Sequence, residues 1–291
     1  MKVFVTGASG FVGSAVVQEL INAGHQVIGL ARSEESAKSI REAGAEVLSG
    51  GLEDLDVLKQ GASLADGIIH TAFIHDFSQY HKSGEVDETA IRTMAEAVKE
   101  SGKPMVVTAG LLGQPLINGF ITEESSADHS LRKSETTALA LAEGGADISV
   151  IRLPPSVHDL GDKGFVPFII GQARKNGVSA YPADEKNWSA VHRLDAARAY
   201  RLAVEKGARG AIYNVVGDSS IPLREIATVI GEKLNLPVQP LSEVEMENHF
   251  DWLSRFLVYE GAATGTRTRE ALNWEPQHPG LLEDITENYF I

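Results

Sequence analysis

Short apolar runs recur at regular intervals through the first half of the chain: "KVFVT", "QVIGLA", "AEVLS", "GIIHTAF", "PMVVTA" and "DISVIRL". They are short and rich in β-branched residues, as buried strands are. The stretches between them carry helical spacing instead. Over 12–23, Val12, Val16 and Leu20, joined by Val17 and Ile21, share one helical face. Strands that alternate with helices require crossover connections, which predicts an α/β fold: a doubly wound parallel sheet covered by helices on both faces.

The rhythm changes after Leu153. "PPSVHDLGDKGFVP" is broken by Pro and Gly, a helical "RLDAARAYRLAVEKG" and a strand-like "AIYNVV" follow, and the remainder reads as helices separated by turns at Pro222, Pro237, Pro240, Pro276 and Pro279. The pattern divides the chain into a larger domain made of 1–153 and 189–217 and a smaller, mainly C-terminal lobe made of 154–188 and 218–291. A cleft between two such units is where a small substrate binds.

Composition narrows the partners. At 291 residues the chain can bury a substantial core, and 43% hydrophobic with 23% charged residues is ordinary for a chain that folds in water. A formal net charge of −14 with no basic run argues against nucleic acid. The absence of cysteine removes disulfides, thiol nucleophiles and thiolate metal sites, and fits a reducing, cytoplasmic setting. The first apolar run is interrupted by Thr6, Gly7, Ser9 and Gly10, so neither an export signal nor a membrane span is expected. No histidine or acidic spacing of a metal site is visible.

"VFVTGASGFVGS" sets a strand, a glycine turn and a helix in immediate succession. Gly7 can take the tight turn, Gly10 lets backbone approach a diphosphate, and Gly13 lets the helix pack closely. A helix beginning at Phe11 directs its free N–H groups at that diphosphate, so Ser9, Phe11 and Val12 join the glycines as expected cofactor contacts. The spacing is Gly-x-x-Gly-x-x-Gly. With "ADGIIHTAF", "IRLPPSVHD" and "AVHRLDAARAY", the chain resembles the extended or atypical short-chain dehydrogenases/reductases, in the NAD-dependent epimerase/dehydratase group. The resemblance spans nearly the whole chain and implies a Rossmann fold and a nicotinamide dinucleotide.

The end of the second strand chooses between the two dinucleotides. NAD-binding proteins place an acid there, whereas a basic residue accommodates a 2′-phosphate. "GLARSEE" places Arg32 and Ser33 at this point. A guanidinium fork and a hydroxyl suit a phosphate, so NADP(H) is expected over NAD(H). The resemblance further implies that Gly51 and Leu52 lie near the adenine, although Gly51 stands where an acid is common. It also implies that Thr71, Ala72 and Phe73 pass the ribose and diphosphate, and that Pro154 and Val157 pass the nicotinamide.

Enzymes of this resemblance use a tyrosine and a lysine four apart on one helical face to exchange a proton with the substrate oxygen. None of the six tyrosines has that partner. Four residues beyond Tyr80, Tyr181, Tyr200, Tyr213 and Tyr259 stand Gly84, Glu185, Val204, Gly217 and Ala263, and the chain ends too soon after Tyr289. Laid on Tyr-x-x-Ser-Lys, "LRKSE" substitutes Leu131 for the tyrosine and Glu135 for the lysine; if Glu135 is instead the family's later glutamate, the pair becomes Ala127 and Leu131, and either register lacks the relay. Thr108 is the hydroxyl nearest to the family's Ser/Thr position and is also a cofactor candidate.

Replacement chemistry points to His75 and His158, each followed by an acid and each after a strand, because imidazole transfers protons near neutral pH. Arg132 and Lys133 read as a solvated helix face. Phe77, Phe165 and Trp188 are candidates for an apolar substrate wall. The leading expectation is an NADP(H)-dependent oxidoreductase of a small carbonyl or hydroxyl compound with non-standard acid-base residues. The alternatives are a non-catalytic NADP(H) redox sensor and an epimerase or isomerase that holds its cofactor tightly. By the same resemblance, helices over 84–101 and 130–144 form the seam of a homodimer.

Overall fold

The structure, a computed structural model, describes residues 1–74, 80–127 and 132–290. Its first half alternates as the apolar runs require: β1 (Lys2–Thr6), α1 (Phe11–Asn22), β2 (Gln26–Ala31), α2 (Glu34–Glu42), β3 (Glu46–Ser49), α3 (Leu55–Leu64), β4 (Gly67–His70), α4 (Tyr80–Val98), β5 (Met105–Gly110), α5 (Ser134–Glu143) and β6 (Ile148–Leu153). The second half contributes β7 (Ser156–His158), α6 (Phe165–Asn176), β8 (Ser179–Pro182), β9 (Asn187–His192), α7 (Arg193–Lys206), β10 (Ile212–Asn214), β11 (Asp218–Pro222), α8 (Leu223–Leu234), β12 (Val238–Leu241), α9 (Glu243–Phe250), α10 (Ser254–Leu257), α11 (Thr266–Leu272) and α12 (Leu281–Asn288).

Seven strands form one parallel sheet in the order β10-β6-β5-β4-β1-β2-β3. The order reverses beside β1, which opens a crevice at the carboxyl ends of β1 and β4, the place where such sheets bind ligands. One face of the sheet packs on α1 and α7 through Val16, Val17, Leu20, Ala196, Tyr200 and Ala203, and the other on α3, α4 and α5 through Leu58, Ile91, Met94 and Ala138. Burial of each of the Val, Leu, Ile and Met side chains among them contributes roughly 1.5–3 kcal/mol against chain entropy. A fold with both faces covered is what continuous apolar strands demand.

The run "GIIHTAF" makes a shorter strand than its hydrophobicity suggests. β4 stops at His70 because Thr71 turns back to β1, its backbone N–H and hydroxyl both donating to the Thr6 carbonyl at 3.3 and 2.8 Å. The smaller sheets are β11-β9-β7 and β12-β8. They and α6, α8, α9 and α12 close over a second core that contains Trp188, Ile226, Ile230, Phe250 and Ile285. Among the described residues no helix is long and apolar enough to cross a membrane, and no cluster of potential metal ligands occurs.

Candidate functional site: the glycine turn and the start of α5

At the glycine turn Gly7 has φ +71, and a Cβ there would lie 2.7 Å from Thr71 Oγ1 and 2.8 Å from the Ala72 nitrogen. A Cβ on Gly13 would come within 2.0 Å of the Gly7 carbonyl oxygen, so α1 packs on the turn more closely than any side chain permits. Gly10 is the N-cap of α1; no side chain caps it, and no acid stands in the first turn. Ser9 and Gly10 are exposed, and Phe11 and Val12 are half-buried. The first-turn amides and the positive end of the helix dipole therefore await an anion, which is the fit a dinucleotide diphosphate requires.

Arg32 lies exposed just past β2, and no described carboxylate pairs with it; Glu34 is occupied by Arg41 at 2.7 Å. Ser33 is the N-cap of α2: its oxygen accepts from Ser36 N–H at 3.2 Å and its hydroxyl reaches Ser36 Oγ at 3.1 Å. The Ser33 hydroxyl is thus engaged in the cap, while the Arg32 guanidinium is free to meet a phosphate. Beyond β3, Gly51 N–H donates to Asp54 Oδ2 at 2.6 Å, so a carboxylate stands beside this turn although position 51 carries none. Leu52 packs half-buried on the core below. Thr71 and Ala72 press against Gly7, and Phe73 carries the Arg132 guanidinium 3.7 Å above its ring.

The start of α5 is organised in the opposite sense. Glu135, in the lysine register, is fully buried and receives Arg152 Nε at 3.0 and 2.9 Å. Its Nη2 also reaches Glu135 Oε1 at 2.5 Å, and the other N–H groups go to the carbonyls of Thr122 at 3.0 Å and Ser125 at 2.7 Å. Ser134 donates to Asp87 Oδ2, and Asp87 Oδ1 lies 3.1 Å from His70 Nε2 and 3.5 Å from Arg132. Burial alone would raise the Asp87 pKa, but His70, Arg132 and Ser134 together hold it below the usual carboxylate range. His70 Nε2 thus faces Asp87, and its Nδ1 lies 2.7 Å from the Thr6 hydroxyl. A buried polar chain therefore joins the end of β1 to the start of α5.

Several expectations change against this geometry. The Thr108 hydroxyl donates to the His70 carbonyl at 2.7 Å and lies 2.7 Å from the Tyr200 phenol, so it faces the core and does not present itself to a substrate oxygen. Tyr200 is no substitute acid, because full burial pushes its pKa up and seals it from the cleft. His158 is also fully buried, with Nδ1 2.8 Å from Asp284 of α12 and its ring edge against His192. Trp188 is 0% exposed and packs on Phe165 at 5.5 Å, and Phe165 itself packs on Phe256 at 5.2 Å. Trp188 belongs to the lobe core and forms no cleft wall, for the ordinary reason that large aromatics bury the most area, whereas Phe165 is half-buried against that core.

Arg132 is drawn onto Phe73 and Asp87 and is 16% exposed, in contrast to the solvated face expected of it, whereas Lys133 is exposed. Pro154 is buried and Val157 half-buried against the main core. His75, Asp76 and Phe77 lie outside the described residues, as does Leu131. Residues that periodicity and motif spacing did not single out are His70, Asp87 and Arg193. Arg193, at the start of α7, carries its guanidinium 4.7 Å from the Phe11 ring. The first two look like strand and helix positions in sequence, and only their meeting across 17 residues of chain reveals them.

A family model described as NAD(P)H-binding matches residues 7–164. The Saccharomyces cerevisiae protein YLL056C is 44% identical over 99% of both chains. The 4-hydroxy-2-methyl-3-oxo-4-farnesyl-3,4-dihydroquinoline-1-oxide ketoreductase of Stigmatella aurantiaca is 25% identical over 80% of this chain and 73% of its own. In shape the molecule is similar to the dTDP-glucose 4,6-dehydratase DesIV of Streptomyces venezuelae, solved with NAD bound. That match has a TM-score of 0.78 at 18% identity and covers 99% of this chain and 96% of the other.

Proposed function

Because the chain belongs to the NAD(P)H-binding family whose model matches residues 7–164, and resembles the extended short-chain dehydrogenases/reductases of the epimerase/dehydratase group, we propose that it is an NADP(H)-dependent oxidoreductase. Its substrate is a small carbonyl or hydroxyl compound, and it works without the family's tyrosine and lysine. The observation that carries the reading is the pairing of an intact, uncapped glycine turn with an Arg32, just past β2, that no described carboxylate pairs. A bound NADPH supplies hydride chemistry. The chain's own work is to hold it: the α1 amides take the diphosphate and Arg32 the 2′-phosphate.

The carbonyl needs a proton and a stabilised oxygen. Thr108 and His158 are turned inward, which leaves solvent water, or His75, as the proton source. Arg132, braced by Phe73 and Asp87, supplies a fixed positive charge toward oxygen as it becomes anionic. The relative that reduces a ketone supports this direction of reaction. The test is single-turnover loss of reduced-nicotinamide absorbance with bound NADPH against a panel of ketones and aldehydes; turnover with at least one is expected, and none with any would refute the enzyme reading.

A second reading has one specific observation in its favour: Glu135 is closed onto Arg152, so the lysine register is filled by structure. A redox sensor that reports NADP against NADPH needs no proton relay. It requires the two forms to differ in affinity or in the surface they leave exposed, and equal affinities with no change in partner binding would exclude it. A homodimer through α4 and α5 belongs to the same proposal, with sedimentation as its check.

A further inference from the structure

The helices α1 and α7 pack side by side, and their first residues, Phe11 and Arg193, are in contact. Two helix N-termini, each the positive end of its dipole, thus stand together at the glycine turn. Arg193 adds a full charge to that corner. Its guanidinium is stacked 4.7 Å from the Phe11 ring, and its side chain remains 24% exposed. Nε and Nη2 both bond a single oxygen, Oδ2 of Asp159, at 3.1 and 2.8 Å. Nη1 makes no hydrogen bond to the described residues, so the planar fork is only partly used.

The neighbouring groups cannot do the same work. His192 stacks on His278 at 4.6 Å, and burial holds its pKa below the ordinary value, so it is neutral near pH 7 despite Asp159 at 3.6 Å. Asp159 is 17% exposed and is the only described carboxylate that pairs with Arg193. An arginine held by one carboxylate oxygen, beside backbone amides that lack an anion, is placed to exchange that carboxylate for a doubly charged ligand.

We propose that Arg193 is a second diphosphate-binding residue, a clasp laid from α7 across the start of α1, and that Asp159 holds it in place when no coenzyme is bound. The inference rests on the glycine turn as the diphosphate cradle, but it does not depend on the choice between NADP and NAD. Arg32 discriminates the 2′-phosphate, whereas Arg193 serves the part that both dinucleotides share. A charge-assisted hydrogen bond of this kind corresponds to an affinity change of roughly tenfold to a hundredfold.

The experiment is equilibrium binding, by quenching of tryptophan fluorescence or by calorimetry, of NADP, NAD and adenosine 2′-monophosphate to the full chain. Arg193→Met is expected to weaken NADP and NAD by the same factor, about tenfold or more, and to leave adenosine 2′-monophosphate unchanged. Arg32→Asp gives the complementary pattern, weakening NADP and adenosine 2′-monophosphate but not NAD. Asp159→Asn frees the guanidinium and is expected to keep or raise dinucleotide affinity. If Arg193→Met folds poorly, Arg193→Lys, which keeps the charge and loses the fork, is expected to weaken both dinucleotides by an intermediate factor.

The clasp is overturned if Arg193→Met and Arg193→Lys bind dinucleotides as the wild type does, or if adenosine 2′-monophosphate weakens in parallel. It is also overturned if Asp159→Asn loses affinity as Arg193→Met does, because the pair would then be structural. An Arg32→Asp protein that still prefers NADP would refute the assignment of the 2′-phosphate to Arg32 alone and leave the clasp standing.

Discussion

The turn after β1 and the start of α5 sit at opposite ends of one buried polar chain and treat their polar groups in opposite ways. At the turn, Gly7, Gly10 and Gly13 strip away side chains, no residue caps α1, and the amides at its start face outward. At α5, Ser134, Glu135, Asp87, His70 and Arg152 spend their hydrogen bonds on one another and on the neighbouring Thr6 hydroxyl and Thr122 and Ser125 carbonyls. Donors left open are ready for a ligand, and donors closed onto buried acceptors hold a fold together. The region where the resemblance leads one to expect a proton relay is part of the scaffold, and the region where it leads one to expect the coenzyme is open.

The sharpest way to break this contrast is to open the closed end. Glu135→Ala leaves the Arg152 cation buried and unpaired, with an expected loss of about 3–5 kcal/mol in urea unfolding. Replacing the pair together, as Glu135→Leu with Arg152→Met, should recover most of that loss. A stable Glu135→Ala single variant would show that the ion pair is not structural.

The open end responds to added atoms. Gly13→Val places a side chain on the Gly7 carbonyl; it is expected to cost up to about 3 kcal/mol and to abolish dinucleotide binding, read by calorimetry on the folded fraction. Binding that survives this change would contradict the close-packed turn.

The link between the two ends has a pH signature. Asp87 has a depressed pKa in the folded state, so its stabilisation is fully present above the ordinary carboxylate range and is lost as pH falls through the lowered value. Asp87→Asn should therefore be about 2 kcal/mol less stable than wild type near neutral pH, with the gap narrowing in acid. Parallel unfolding curves at every pH would show that Asp87 is not ionised in the fold.

The smallest effect concerns the coenzyme alone. Arg32→Asp is expected to reduce the preference for NADP over NAD about tenfold, close to 1.4 kcal/mol, with unfolding unchanged. An unaltered ratio of the two affinities would reassign the 2′-phosphate contact.

Much of this was legible along the chain because it is local. The strand, turn and helix from Lys2 to Asn22 follow from neighbouring residues, as does the approach of Gly13 to Gly7, and the parallel sheet follows from alternating apolar runs. The Arg32 position is likewise a matter of distance along the chain from the glycine turn. Absence is also readable in one dimension: no tyrosine has a lysine four residues on, whatever the fold.

Direction and partnership were not legible. Thr108, His158 and Trp188 have the right chemistry in the right neighbourhood, but a strand end does not reveal which side chain faces the crevice and which the core. His70 met Asp87, Glu135 met Arg152, and Arg193 met Phe11 only through packing between elements far apart in sequence. The sequence alone determined the parallel α/β fold and the phosphate-binding turn, since both are set by backbone geometry and short-range periodicity. The tertiary structure alone decided which polar groups remain free to act, because a hydrogen bond is consumed by whatever partner the fold brings within about 3 Å.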